Sequence, residues 1–148
     1  MQSTGSQKGL QNQDYMKTGK ILPMSNTTNI PIKKKYDIHD RIYKFIVEVI
    51  KLVNSLPKNS SNYVIINQIL RSATSMGAND QEADGTLTKK DFVYTYVVVR
   101  KEGKETNFWL SLIADTNAQI IREKSLKLIQ EGKELVAILS AIINKTRS

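Results

Sequence analysis

Four glutamates stand at spacings that could carry chemistry. Glu102 and Glu105, then Glu131 and Glu134, are three residues apart in two segments that read as helices, so each pair shares a helix face. Carboxylates facing one another inside a bundle can bridge metal ions, but such sites also draw two histidines from Glu-x-x-His spacings. This chain has one histidine, His39, and no cysteine. A histidine cage and a thiolate site therefore lack their ligands. His39 falls in the first turn of the first helix and reads as a surface residue. The glutamates read as ion-pair partners for Lys101, Lys104, Arg122 or Lys127. No phosphate loop, paired-histidine motif or nucleophile elbow occurs. The expectation is a binding protein that is not an enzyme and uses no metal or cofactor.

Basic side chains are the other candidates. They gather at Arg100, Lys101 and Lys104, at Arg122, Lys124 and Lys127, and at Lys33, Lys34 and Lys35. Lysines on a helix often serve only solubility. The functional alternative is contact with RNA or DNA phosphates, which positions a partner without reading its sequence. The formal net charge of +8 favours polyanions, but its distribution matters. Six lysines against Asp14 give residues 1–36 a charge of +5, which leaves +3 for the remainder.

These side chains need elements to position them. The 148 residues suit one domain, and 40% hydrophobic content suits one real core. Three prolines and seven glycines favour long regular elements. Residues 1–36, rich in Gln, Ser, Asn, Thr and Lys, show no apolar period and read as a disordered basic tail. Met24 offers a second place for translation to begin. Residues 37–148 read as a four-helix bundle. No apolar run approaches the roughly 20 residues a membrane span needs, and nothing resembles a secretory signal. A cytoplasmic location without membrane association is the default expectation.

Ile38, Ile42, Phe45, Ile46, Val49, Leu52, Val53 and Leu56 make one helical stripe that Pro57 ends. Asp37 or Asp40 can cap it. After a short loop, Ser60 or Ser61 should cap a second helix with Ile65, Ile66, Ile69, Leu70, Ala73 and Met76 on its apolar face, closed by Asp84-Gly85. The run Phe92 to Val99, FVYTYVVV, would pass for a strand by propensity. The wider window keeps a 3.6 period through Phe92, Tyr96, Val99, Gly103, Thr106, Leu110 and Ile113, so the reading is helix, capped by Thr88. Ile121, Leu128, Gly132, Leu135, Leu139 and Ile142 form a fourth stripe. The expected helices are 38–55, 61–84, 89–115 and 119–144. At ~25 residues a helix is ~37 Å long, and short loops between such helices imply an all-α, antiparallel up-down-up-down bundle.

Helices three and four carry more apolar surface than one seam needs. Val97, Phe108 and Leu112 lie opposite the main stripe of the third helix. They either pack on a second side within the bundle or meet another copy of the chain, and self-association is the expectation. On the second helix Arg71, Ser75, Asn79 and Glu82 share the face opposite the apolar stripe. That face is either solvated or, with Arg71, Asn79 and Glu82, part of the subunit interface.

Four stretches resemble a known family: YDIHDRIYKF with SLPK after it, QILRSATSMGAND with QEA, TKKDF, and RKEGKETNFWLSLI. The chain is similar over about residues 36–145 to the four helix bundle proteins, also called 23S rRNA intervening-sequence proteins. The resemblance implies an antiparallel four-helix bundle assembled as a homopentameric ring. It also implies relatives that serve reverse transcriptases of bacterial diversity-generating retroelements by binding nucleic acid and the polymerase. For most of the family the biochemical role is unknown. This chain departs from the family pattern at Asp80, where an aromatic residue is usual, and at Gly103, where alanine is usual. Both departures read as marks of an interface specific to this protein.

Overall fold

The structure, a computed structural model, describes residues 37–148. The expected tail, 1–36, lies outside the described residues. The described residues form four helices and no strand: α1 (Ile38–Asn54), α2 (Ser60–Ala83), α3 (Lys89–Thr116) and α4 (Gln119–Arg147). Three of the starts coincide with the expected ones, and the other ends differ by one to three residues.

Local chemistry explains the starts. Asp37 caps α1 by accepting from the His39 amide at 3.0 Å. Asn59, and not Ser60 or Ser61, caps α2: its extended backbone lets the side chain accept from the Asn62 amide at 2.9 Å, while Ser60 is already in the helix. Thr88 accepts from the Asp91 amide at 3.1 Å and donates to the Asp91 carboxylate at 2.7 Å. The run FVYTYVVV is helical because tertiary burial outweighs propensity. Tyr96 and Val99 are buried on the core side, and Phe92, Val93 and Val97 pack around them.

The helices run antiparallel. As α2 ascends, its partners on α3 descend: Asn62 meets Asn117, and Ser72 meets Thr106. The same holds for α3 and α4, where Arg100 reaches Ser140 and Arg122 reaches Asp115. Each helix packs against its neighbours in the order α1, α2, α3, α4 and back to α1. Phe45, Val49, Ile69, Met76, Leu110, Ile113, Leu135 and Leu139 fill the centre. On α4, Ile121, Ser125, Gly132 and Ile143 are buried as well, with Ile142 half-buried beside them.

Small residues let α3 sit close to both neighbours. Its Thr106 hydroxyl hydrogen-bonds to Ser72 of α2 at 2.8 Å, with both side chains fully buried. Gly132 of α4 leaves its space to the Asn107 amide of α3. Gly103 is buried, and a methyl group there would come within 3.1 Å of the Met76 Cε and 3.5 Å of Val136. This corrects the expectation for Gly103: it makes room inside the bundle and does not mark an outer interface.

Candidate functional site

The ends of the bundle are locked by polar side chains that the apolar pattern hides. At one end Asn62, 1% exposed, donates to the Pro57 carbonyl at 2.8 Å and to Asn117 Oδ1 at 2.9 Å, while Asn117 Nδ2 returns a bond to Asn62 Oδ1 at 3.2 Å. This exchange ties the α1–α2 loop to the α3–α4 loop.

At the other end the lock carries charge. Asp80, 1% exposed, holds the His39 ring at 2.8 Å, and the second ring nitrogen lies 3.3 Å from Asp84. Tyr96 of α3 lies buried beside Asp80. Burial pushes its phenol pKa far up, and the charge of Asp80 adds to the shift. Asp80 therefore faces inward, and His39 is half-buried and engaged rather than a plain surface residue.

The glutamates pair across helices with arginines. Arg41 of α1 holds Glu131 at 2.8 Å and Glu134 at 2.9 Å. Arg71 of α2 holds Glu102 at 3.4 Å and also reaches Glu105. The expected pairing with Lys101, Lys104, Arg122 or Lys127 is not formed. A guanidinium fork satisfies two carboxylates at once, which an ammonium does less well. Among the described residues no group of three or more His, Cys, Asp or Glu could hold a metal ion, and no described helix is long and apolar enough to cross a membrane.

The basic candidates separate. Arg100 turns toward α4 and donates to Ser140 at 3.3 Å, while Lys101 and Lys104 are exposed on the outer side of α3. Arg122 is taken up by Asp115 at the far end of α3. Lys124 and Lys127 turn the other way, toward α1, where with Glu48, Lys51, Ser55 and Leu128 they line a cleft of about 310 Å³. Lys51 belongs with them and was missed in the sequence, because its neighbours lie far along the chain. Lys33, Lys34 and Lys35 lie outside the described residues. Among the described residues the basic clusters do not merge into one patch. Among the described residues, Lys101, Lys104, Lys124 and Lys127 form no ion pair.

The candidate interface residues also divide. Val97 and Leu112 are half-buried against the bundle's own core, whereas Phe108 is 55% exposed, edge-on to Trp109. Arg71 is engaged by its glutamates, Asn79 donates to the Ser75 carbonyl at 2.8 Å, and Glu82 is exposed. A larger feature lies elsewhere. Val53, Leu56, Tyr63, Ile66 and Leu70 line an apolar groove of about 900 Å³ between α1 and α2, with Tyr63 70% exposed. The sequence held a signal for it, since Tyr63 falls off the α2 stripe as an unexplained aromatic residue.

A family model described as 23S rRNA-intervening sequence protein matches residues 34–141. Among solved structures, a protein of unknown function from the S23 ribosomal protein family of Bacteroides thetaiotaomicron VPI-5482 superposes with a TM-score of 0.64. It is 30% identical, and the match covers 72% of this chain and 97% of that one. No curated protein matches.

Proposed function

The chain belongs to the 23S rRNA-intervening sequence protein family, and from that premise we propose that it acts as a small homo-oligomer that binds nucleic-acid phosphates without reading base sequence. The role would be accessory, within an RNA or reverse-transcriptase complex, and not catalytic. The observation that carries the assembly is the open apolar groove between α1 and α2. It lies on the side of the bundle away from α3 and α4, where Phe108 and Leu126 stand exposed. An apolar groove on one side and apolar knobs on the other suit a heterologous contact, the kind that closes into rings. A homopentamer is the closed form that family resemblance suggests.

Assembly also gives the separated lysines a purpose. Each subunit offers Lys101 and Lys104 on α3, and Lys124 and Lys127 on α4. A ring repeats them, and several weak phosphate contacts made together raise avidity without new chemistry. A second reading, a structural or protein-partner scaffold, is favoured by the arginines: Arg41, Arg71 and Arg122 are taken up by carboxylates within the chain.

Light scattering of the full chain at micromolar concentration should report a multiple of 16.8 kDa. A monomer would overturn the assembly. Replacing Phe108 or Tyr63 by glutamate should lower the mass while leaving the helices intact. RNA and DNA affinity should fall by orders of magnitude between roughly 50 and 200 mM salt as counterions are released. No binding at the lower salt, with the oligomer intact, would leave the scaffold reading standing.

A further inference from the structure

We propose that His39 is a proton-operated latch that fastens the start of α1 to the end of α2. Both ring nitrogens face carboxylate oxygens: Nδ1 lies 2.8 Å from Asp80 Oδ2, and Nε2 lies 3.3 Å from Asp84 Oδ1. A neutral imidazole has one N–H and one lone pair. In that state one of the two carboxylates would confront the lone pair. Only the imidazolium presents a proton to both. Asp80 and Asp84 are four residues apart, so the end of α2 stacks them on one face.

The balance of charge around the ring points the same way. Asp37 approaches from the cap of α1, Asp80 and Asp84 from α2, and the Tyr96 phenol from α3. The acidic groups that α4 presents to α1, Glu131 and Glu134, are held by Arg41. Asp80 is buried, with the Tyr96 phenol beside it. A buried carboxylate is costly unless a cation sits beside it, and among the described residues His39 is the ion-pair partner of Asp80.

Partial burial alone would lower the imidazole pKa. The hydrogen bond and charge of Asp80, then the charges of Asp84 and Asp37, outweigh it and hold the pKa above the ordinary histidine value. A folded-state value above the unfolded one gives stability that is complete below the unfolded pKa of about 6.5 and is lost as pH rises through the folded value. The latch is closed in mild acid. Above the folded value it keeps at most one of its two carboxylates, and the first turn of α1 loses half its fastening.

His39 is the chain's single histidine, so its ring resonances can be followed by proton NMR in the full-length protein without assignment. The titration midpoint should lie above about 6.5, and Asp84→Asn should lower it without loss of helix. A wild-type midpoint at or below that value overturns the latch, as does an Asp84→Asn variant that titrates like the wild type. Thermal unfolding gives a second readout. From about pH 5.5 to about pH 8.5 the wild type should lose roughly 2–4 °C relative to His39→Gln. Melting curves of the two proteins that run parallel with pH would overturn it equally.

Discussion

Helix α1 and helix α3 are both amphipathic, yet the bundle holds them by different means. Helix α3 is bound by closeness. Glycine, serine and threonine at its contacts bring the backbones of α2 and α4 near, and a buried hydroxyl pair bridges Ser72 and Thr106 at 2.8 Å. Helix α1 is bound by reach. Its large side chains Phe45 and Leu52 enter the core while Arg41 and His39 extend to carboxylates on α4 and α2. Close backbones leave no room for a groove. Contacts made through long side chains leave one, and the apolar groove indeed lies between α1 and α2. A helix secured by reach can be dense inside and still leave space at its flank for another molecule.

The strongest test of that contrast removes equal volume from each helix. Leu110→Ala in α3, where the side chain is fully buried between close neighbours, should cost about 4 kcal/mol; Leu52→Ala in α1 should cost about 2 kcal/mol, because the surroundings can settle into the gap. Denaturant midpoints measure both, and equal costs would erase the distinction. A smaller effect sharpens it from the polar side. Arg41→Gln strands two glutamates that share one guanidinium, and should cost about 1 kcal/mol, less at high salt since the pairs are only partly buried. A cost independent of salt would mean that the arginine acts by packing. The smallest effect is expected at Gly103→Ala. The new methyl would press on the flexible end of Met76, while helix preference improves by up to ~1 kcal/mol. The net change should be near zero, and a loss above about 2 kcal/mol would show α3 to be even more tightly confined.

Much of this was legible in the sequence. The apolar stripes placed all four described helices, Pro57 ended the first, and the 3.6 period resolved the strand-like run before Val99. What periodicity could not show were side chains whose partners lie far along the chain. Asn62 sits at a stripe position yet is polar, and only the return of Asn117 explains it. Asp80 occupies a core position and makes sense only beside His39 and Tyr96. The glutamates were recognised as structural, but local spacing suggested Lys101, Lys104, Arg122 or Lys127 where the fold supplies Arg41 and Arg71. The α1–α2 groove was missed because a groove belongs to two helices at once, and a stripe describes one.

The amide exchange between Asn62 and Asn117 has a consequence for how this chain can vary over generations. Asn62 is tolerable in its buried place because Asn117, half-buried beside it, completes it. A lineage that changes Asn117 first must pass through an intermediate in which the buried Asn62 Oδ1 has lost the donor that Asn117 supplies, at a cost of about 1–3 kcal/mol. For a protein of ordinary marginal stability that step is a deterrent. The two positions, 55 residues apart, are thus expected to change together: both kept, or both exchanged for a pair that fits.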